Sequence, residues 1–457
     1  MHNATLGPAR NRRYSDFRRM HSPSPGRWFA IVSFAFLAAF ASNEDSQLRY
    51  IVILSRHGVR SPTARPEDLN RYSAEPWPDW GVAPGMLTPH GRDLMRILGA
   101  WNRSYLSEQG LVSPTGCAEA KYVFAWSDTD ARCRESGAAL LDGMLPGCNA
   151  TAQSRPPGER DPLFKPFESE IAPSDQGLAA AAILGQIGGH PEALAEVHRP
   201  AFEELERVLL GCLPGRDCPA KENSKRSVIS ESIAVKAGTR NAAAEVTGAL
   251  HTGSSLAENL LLEYLNGWKG PDLGWGRLNE SNLQEIMRLH TAYADLARKT
   301  PYIARAHGSN LMSRILSSMQ QAQSAKAVKG ALGKVDGRVL LLVGHDTNAS
   351  NISGLLGINW LLPGDQPGDP VPGGALVFEL RQSVVSKAYF VRVYYTAQSH
   401  NQMRNATPLS ADRPPLRAPI FVPGCGTSSE GFECDWTRFE QTVSAAIDRR
   451  FVAPVPE

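Results

Sequence analysis

The chain has 457 residues, 42% hydrophobic and 21% charged, with 48 Lys and Arg against 46 Asp and Glu and a net charge of +2. That length supports one large domain or two medium ones around a sizeable core. The near balance of charge excludes bulk attraction to a polyanion, so no nucleic-acid partner is expected.

The first segment is a leader. Arg12, Arg13, Arg18, Arg19 and Arg27 precede an apolar run from Trp28 to Ala41, which ends in the small-residue cleavage pattern Ala39-Phe40-Ala41. The run is shorter than the roughly 18–20 residues of a membrane span. Residues 1–41 are therefore expected to be a signal peptide. Export to the periplasm or the cell exterior follows, with no membrane contact after cleavage.

The mature part opens on Tyr50-Ile51-Val52-Ile53-Leu54, a short continuous apolar run rich in β-branched residues. Such runs fit parallel strands covered on both faces. Leu87 to Leu106 follows as an amphipathic helix started by Thr88-Pro89. A second apolar run is Tyr122 to Trp126, with a helix predicted from Ser136 to Leu145. After the Pro-rich stretch Ser154 to Gly158, the chain from about 177 to 300 is rich in Ala, Leu and Glu with helical periodicity. The third apolar run is Val339 to Val343. Gly374 to Leu380 and Tyr389 to Tyr395 read as a pair of strands near the end. The expected fold is α/β: a doubly wound, mostly parallel sheet with helices on both faces and an inserted α-helical lid domain. The divisions are 42–170 for the first part of the core, 171–300 for the lid and 301–457 for the second part of the core.

Seven cysteines follow the leader, and export favours pairing among them. The spacings suggest Cys117 with Cys148, Cys212 with Cys218 and Cys425 with Cys434, leaving Cys133 over. Other pairings stay open to the sequence.

Each apolar run delivers reactive side chains at its carboxyl end. The first supplies Arg56, His57, Arg60 and Thr63, the second Asp128, Asp130 and Arg132, and the third His345, Asp346, Thr347 and Asn348. Ligands bind outside the carboxyl ends of parallel strands, so these sets are expected to converge. Three planar guanidiniums, Arg56, Arg60 and Arg132, suit a phosphate. Like charges around His57 favour its neutral, nucleophilic form. Asp346 is the nearby acid able to protonate a leaving oxygen. Gly58 would let the backbone approach the phosphate.

Arg56-His57-Gly58-Val59-Arg60-Ser61-Pro62-Thr63 resembles the R-H-G-x-R-x-P-T motif of the histidine acid phosphatases, and Gly344-His345-Asp346-Thr347-Asn348 resembles the distal H-D motif of that family. The likeness is to its bacterial periplasmic phytase and glucose-1-phosphatase branch. It extends through Gly85 to His90, Asp161 to Phe164, Gly274-Trp275-Gly276 and Pro372-Gly373-Gly374. The resemblance implies metal-independent, cofactor-free hydrolysis of small phosphate monoesters at acid pH through a phosphohistidine. His57 would be the nucleophile and Asp346 the proton donor. Arg56, Arg60, Arg132 and His345 would hold phosphate, and Thr63, Glu258 and His290 would contact substrate. The three cysteine pairs match pairs in that branch. Ala64, His307 and Ser255 depart from the phytase pattern, and the loss of cations at Ala64 and His307 should weaken the grip on a hexakisphosphate. Three other functions compete: a phosphate-ester binding protein, a mutase, and a magnesium-dependent phosphatase using Asp128 within Asp128-Thr129-Asp130.

Overall fold

A computed structural model of the chain describes residues 46–167, 171, 174–221, 224–239 and 242–454. The expected leader lies outside the described residues. The long first strand, β1 (Ser46–Arg56), leads through a short helix, α1 (Pro66–Leu69), to α2 (Pro89–Glu108). Thr88 caps α2 by accepting from the Gly91 N–H, and Pro89 occupies the first turn, where its missing N–H costs nothing. Next come β2 (Val123–Ser127) and α3 (Ala131–Met144). The helix-rich stretch holds α4 (Gln176–Gln186), α5 (Ala193–Val197) and α6 (Arg199–Leu210). A small hairpin follows, β3 (Ala234–Ala237) and β4 (Ala244–Thr247), then α7 (Ala249–Leu265) and α8 (Glu280–Ala297). The chain continues as α9 (Pro301–Ser324), β5 (Val339–Gly344), α10 (Asp346–Leu356), β6 (Ala375–Ser383) and β7 (Tyr389–Ala397). It ends with α11 (His400–Arg404), β8 (Leu416–Pro419), β9 (Cys434–Asp435) and α12 (Trp436–Ala446).

The main sheet has the order β2-β5-β1-β6-β7-β8, with β9 also on β7. Its parallel part is β2-β5-β1, the three strands whose ends carry the reactive residues. From β6 onward the pairing is antiparallel, as it must be between β6 and β7, which are joined by a short turn that cannot make a crossover. The result is a mixed α/β sheet.

Side chains of β1 alternate between two cores. Tyr50, Val52 and Leu54 pack with Met312, Ile315, Ile352 and Phe439 from α9, α10 and α12. Ile51 and Ile53 pack with Met95, Leu98, Ala139 and Leu140 from α2 and α3. Helices thus cover both faces, which is why β5 is buried throughout and needs no polar alternation. The helix-rich stretch shares the first of these cores, through residues such as Leu205, Leu260 and Leu289. Disulfides join Cys117–Cys148, Cys212–Cys218 and Cys425–Cys434, and Cys133 is a buried free thiol.

Candidate active site

Register places the motifs together. Arg56 pairs with Gly344 and Ser127 with Val343, so three strands end on one line. Just beyond, the His57 N–H donates to the Gly344 carbonyl at 2.9 Å and the Asp128 N–H to Val343 at 2.9 Å. Gly58 serves this placement in a way the motif does not announce. A Cβ there would meet Met95 Cγ at 2.8 Å and the Gly91 carbonyl at 3.0 Å. The close approach seen at Gly58 is to α2, which presses the loop against the sheet.

A cavity of about 630 Å³ opens at these strand ends. Its walls include His57, Arg60, Arg132, Glu258, His345 and Asp346. His57 Nδ1 lies 2.8 Å from the Gly58 carbonyl. A carbonyl only accepts, so Nδ1 carries the proton and Nε2 keeps its lone pair. Burial, reinforced by Arg56, Arg60, Arg132 and His345, holds the His57 pKa well below the imidazole range. Both effects favour the neutral ring.

Arg56 lies behind the wall. It donates to the Pro370 carbonyl at 2.7 Å and is bonded to Glu258, whose other oxygen takes Arg60 Nη2 at 3.0 Å. Burial opposes ionisation of Glu258, but Arg60 and Arg56 outweigh it and push its pKa down to about 2. Glu258 thus aligns two guanidiniums. Arg132 pairs with Asp130 at 2.7 Å. His345 Nε2 donates to Asp128 Oδ2 at 2.6 Å, which turns Nδ1 towards Arg132, 3.4 Å away.

Asp346 heads α10. Its Oδ1 accepts from the Thr347 N–H at 2.7 Å, and its Oδ2 takes Arg298 Nη1 at 2.6 Å. Burial would raise its pKa, yet Arg298, Arg56 and His290 hold it well below the usual carboxylate range. His290 sits one layer behind, its Nε2 3.9 Å from Asp346 Oδ2 and its Nδ1 3.1 Å from Ser254 Oγ. Thr63 is exposed and is not among the residues lining the cavity; a side chain on Gly85 would meet Thr63 Cγ2 at 3.4 Å and Arg132 Nη1 at 3.8 Å.

Several lining residues escaped the sequence reading. Lys165 pairs with Asp130 at 2.8 Å and Asp128 at 3.1 Å. Arg298 ends α8, and β4 contributes Ala244 to Thr247. Lys165 could have been found, standing directly after the family-like Asp161-Pro162-Leu163-Phe164. No local signal marks Arg298. His307 lines the wall, stacked on Phe167 at 4.1 Å, and burial lowers its pKa to about 4. Asp128, Cys133 and His345 place ligand-type atoms within 4.8 Å of one another. Lys165 and His345 both hold Asp128 Oδ2, while Oδ1 of this fully buried residue has no hydrogen-bond partner among the described residues.

The histidine phosphatase superfamily (branch 2) matches residues 47–396. The phytase AppA of Escherichia coli is 33% identical over 414 residues, 90% of this chain and 94% of its own. A glucose-1-phosphatase of Salmonella typhimurium is 25% identical, covering 91% of this chain and 97% of its own. The structure of the Hafnia alvei phytase in complex with myo-inositol hexakis sulphate aligns with a TM-score of 0.80 at 30% identity, over 90% of this chain and 99% of that one.

Proposed function

The chain belongs to branch 2 of the histidine phosphatase superfamily and is a phosphoric monoester hydrolase, and from that premise we propose that it cleaves phytate or sugar phosphates such as glucose-1-phosphate through a phosphohistidine on His57. One observation carries the reading. A neutral imidazole with its Nδ1 proton committed to Gly58 faces a cavity that also holds Arg60, Arg132, His345 and Asp346. Arg60, Arg132 and His345 bind the phosphoryl oxygens, with Glu258 setting the Arg60 fork from the cavity wall and Arg56 held by the same carboxylate behind it. Such preorganised cations favour the charge that develops on the transferring group. His57 Nε2 bonds to phosphorus as the ester P–O bond breaks. Asp346 gives its proton to the departing oxygen, then takes one from the water that splits the P–N bond.

Residues 171–300 act as a cover that selects leaving groups, since Glu258, Tyr293 and Arg298 of this stretch reach the cavity wall. Export to the periplasm or the cell exterior is supported by the leader pattern and by three disulfides. No helix among the described residues is long and apolar enough to cross a membrane.

The test is phosphate release at pH about 4–5, near carboxyl pKa values, with EDTA present, from phytate and from glucose-1-phosphate. The wild type turns over at least one ester and His57→Ala neither. Activity retained in His57→Ala, or lost in chelator, would overturn the phosphohistidine.

A further inference from the structure

The proposed proton donor is occupied. Both oxygens of Asp346 already accept hydrogen bonds: Oδ1 from the Thr347 N–H at 2.7 Å, and Oδ2 from Arg298 Nη1 at 2.6 Å. The Oδ1 contact belongs to the first turn of α10, with the Thr347 hydroxyl also 3.3 Å away. Oδ2 is therefore the oxygen that must carry the transferable proton, and Arg298 stands on it.

Arg298 differs from the other guanidiniums at the site. Arg56 and Arg60 are fixed by Glu258, and each also donates to a backbone carbonyl, at Pro370 and Ser61. Arg132 is fixed by Asp130. Among the described residues Asp346 is the one carboxylate within ion-pair distance of Arg298. The Tyr293 ring also lies beside it, 5.8 Å from the guanidinium carbon. Arg298 also lines the cavity from the end of α8, so a substrate can reach it. It can leave its partner without breaking a second ion pair.

We propose that Arg298 is a substrate-responsive clamp, holding Asp346 as observed and transferring to a second phosphate of the substrate, so that esters with a neighbouring phosphate release the proton donor. The inference rests on the phosphohistidine reading above and names the substrate class of that site: polyphosphorylated esters over monophosphates with a neutral remainder. A guanidinium fork suits a phosphate at least as well as a carboxylate. Once Arg298 has moved, Asp346 Oδ2 takes a proton from solvent and passes it to the ester oxygen as the P–O bond breaks. The other groups facing Asp346 are Arg56 and Arg60 from the motif strand and loop, Glu258 from α7, and His290 and Tyr293 from α8. Arg56 and His290 lie 4.0 and 3.9 Å from Oδ2, so Arg298, at 2.6 Å, is the cation seated on it.

The experiment compares the wild type, Arg298→Gln and Arg298→Lys on phytate and glucose-1-phosphate across pH 3–7. Removing the cation frees Asp346 to hold its proton to higher pH. In Arg298→Gln, kcat on glucose-1-phosphate rises several-fold, and the upper limb of its pH profile moves up. On phytate kcat/KM falls about tenfold through KM, the loss of one charged hydrogen bond. Arg298→Lys restores most of the phytate KM. Parallel losses on both esters, or an unmoved pH limb on glucose-1-phosphate in folded variants, would sink the clamp. Failure of the wild type on both esters would instead sink the phosphatase reading, before any Arg298 variant is compared.

Discussion

At the scale of single residues, the site is an arrangement of charges that would repel one another without their counter-ions. Two unit charges 4 Å apart repel by about 4 kcal/mol at an effective dielectric near 20. Glu258 relieves that cost for Arg56 and Arg60. Glu258→Gln leaves two buried guanidiniums underbalanced. It should lower stability by about 3 kcal/mol and reduce kcat/KM by at least about tenfold, with Glu258→Asp closer to wild type. Because the Glu258 pKa is pushed down to about 2, its own titration should not shape the rate profile above pH 3. Full activity in a folded Glu258→Gln protein would show that Arg60 needs no such alignment. His57, Arg56 and Arg60 were readable because five consecutive positions carry them. Arg298 was not, since it arrives alone at the end of a distant helix with no motif around it.

At the scale of elements, α7 illustrates a conflict inside a helix. It presents Glu258 to the cavity but also buries Glu263, whose Oε2 accepts from the Gly274 N–H at 2.9 Å while Oε1 has no partner. Burial pushes the Glu263 pKa up to about 8. Folded protein keeps this proton where the unfolded chain has lost it. The contribution to stability is thus complete below the unfolded carboxyl pKa and declines as pH rises towards 8. Glu263→Gln should therefore raise Tm at pH 7 by a few degrees, roughly 2–4 °C per kcal/mol, and change it little at pH 4. Equal shifts at both pH values would remove the titration argument. The long strands and α2 were visible as apolar runs and a capped amphipathic pattern. The hairpin β3–β4 was not, because each strand has four residues, and Ala234, Ala237 and Ala244 weaken the β signal. Yet β4 supplies part of the cavity wall.

Over the whole molecule, two cores on opposite faces of one sheet hold the strand ends in register, and the disulfides lie outside the cavity wall. Cys117–Cys148 spans 31 residues and Cys212–Cys218 only 6. In the loop-entropy view they restrict the unfolded chain by about 3.5 and about 2 kcal/mol. Replacing both cysteines of the first pair by serine should therefore lower Tm more than the same change in the second, with kcat at 25 °C retained in each. The reverse order of Tm values would mean that native contacts dominate. Cys133, buried with its thiol pKa raised first by desolvation, should resist alkylation in the folded enzyme.

The sequence alone determined the α/β class, the family resemblance and the residues at each strand end, and it suggested the three sulfur pairs that the structure contains. These depend on local pattern: β-branched runs, a contiguous motif and short cysteine spacings. The tertiary structure decided which side chains face the cavity and which stand behind it. It placed Arg56 and His290 in the second layer, showed that Gly58 serves helix packing, and set Arg298 on the proposed proton donor. Those are relations between elements up to about three hundred residues apart, set by strand register and helix packing, and no local pattern in a single chain encodes them.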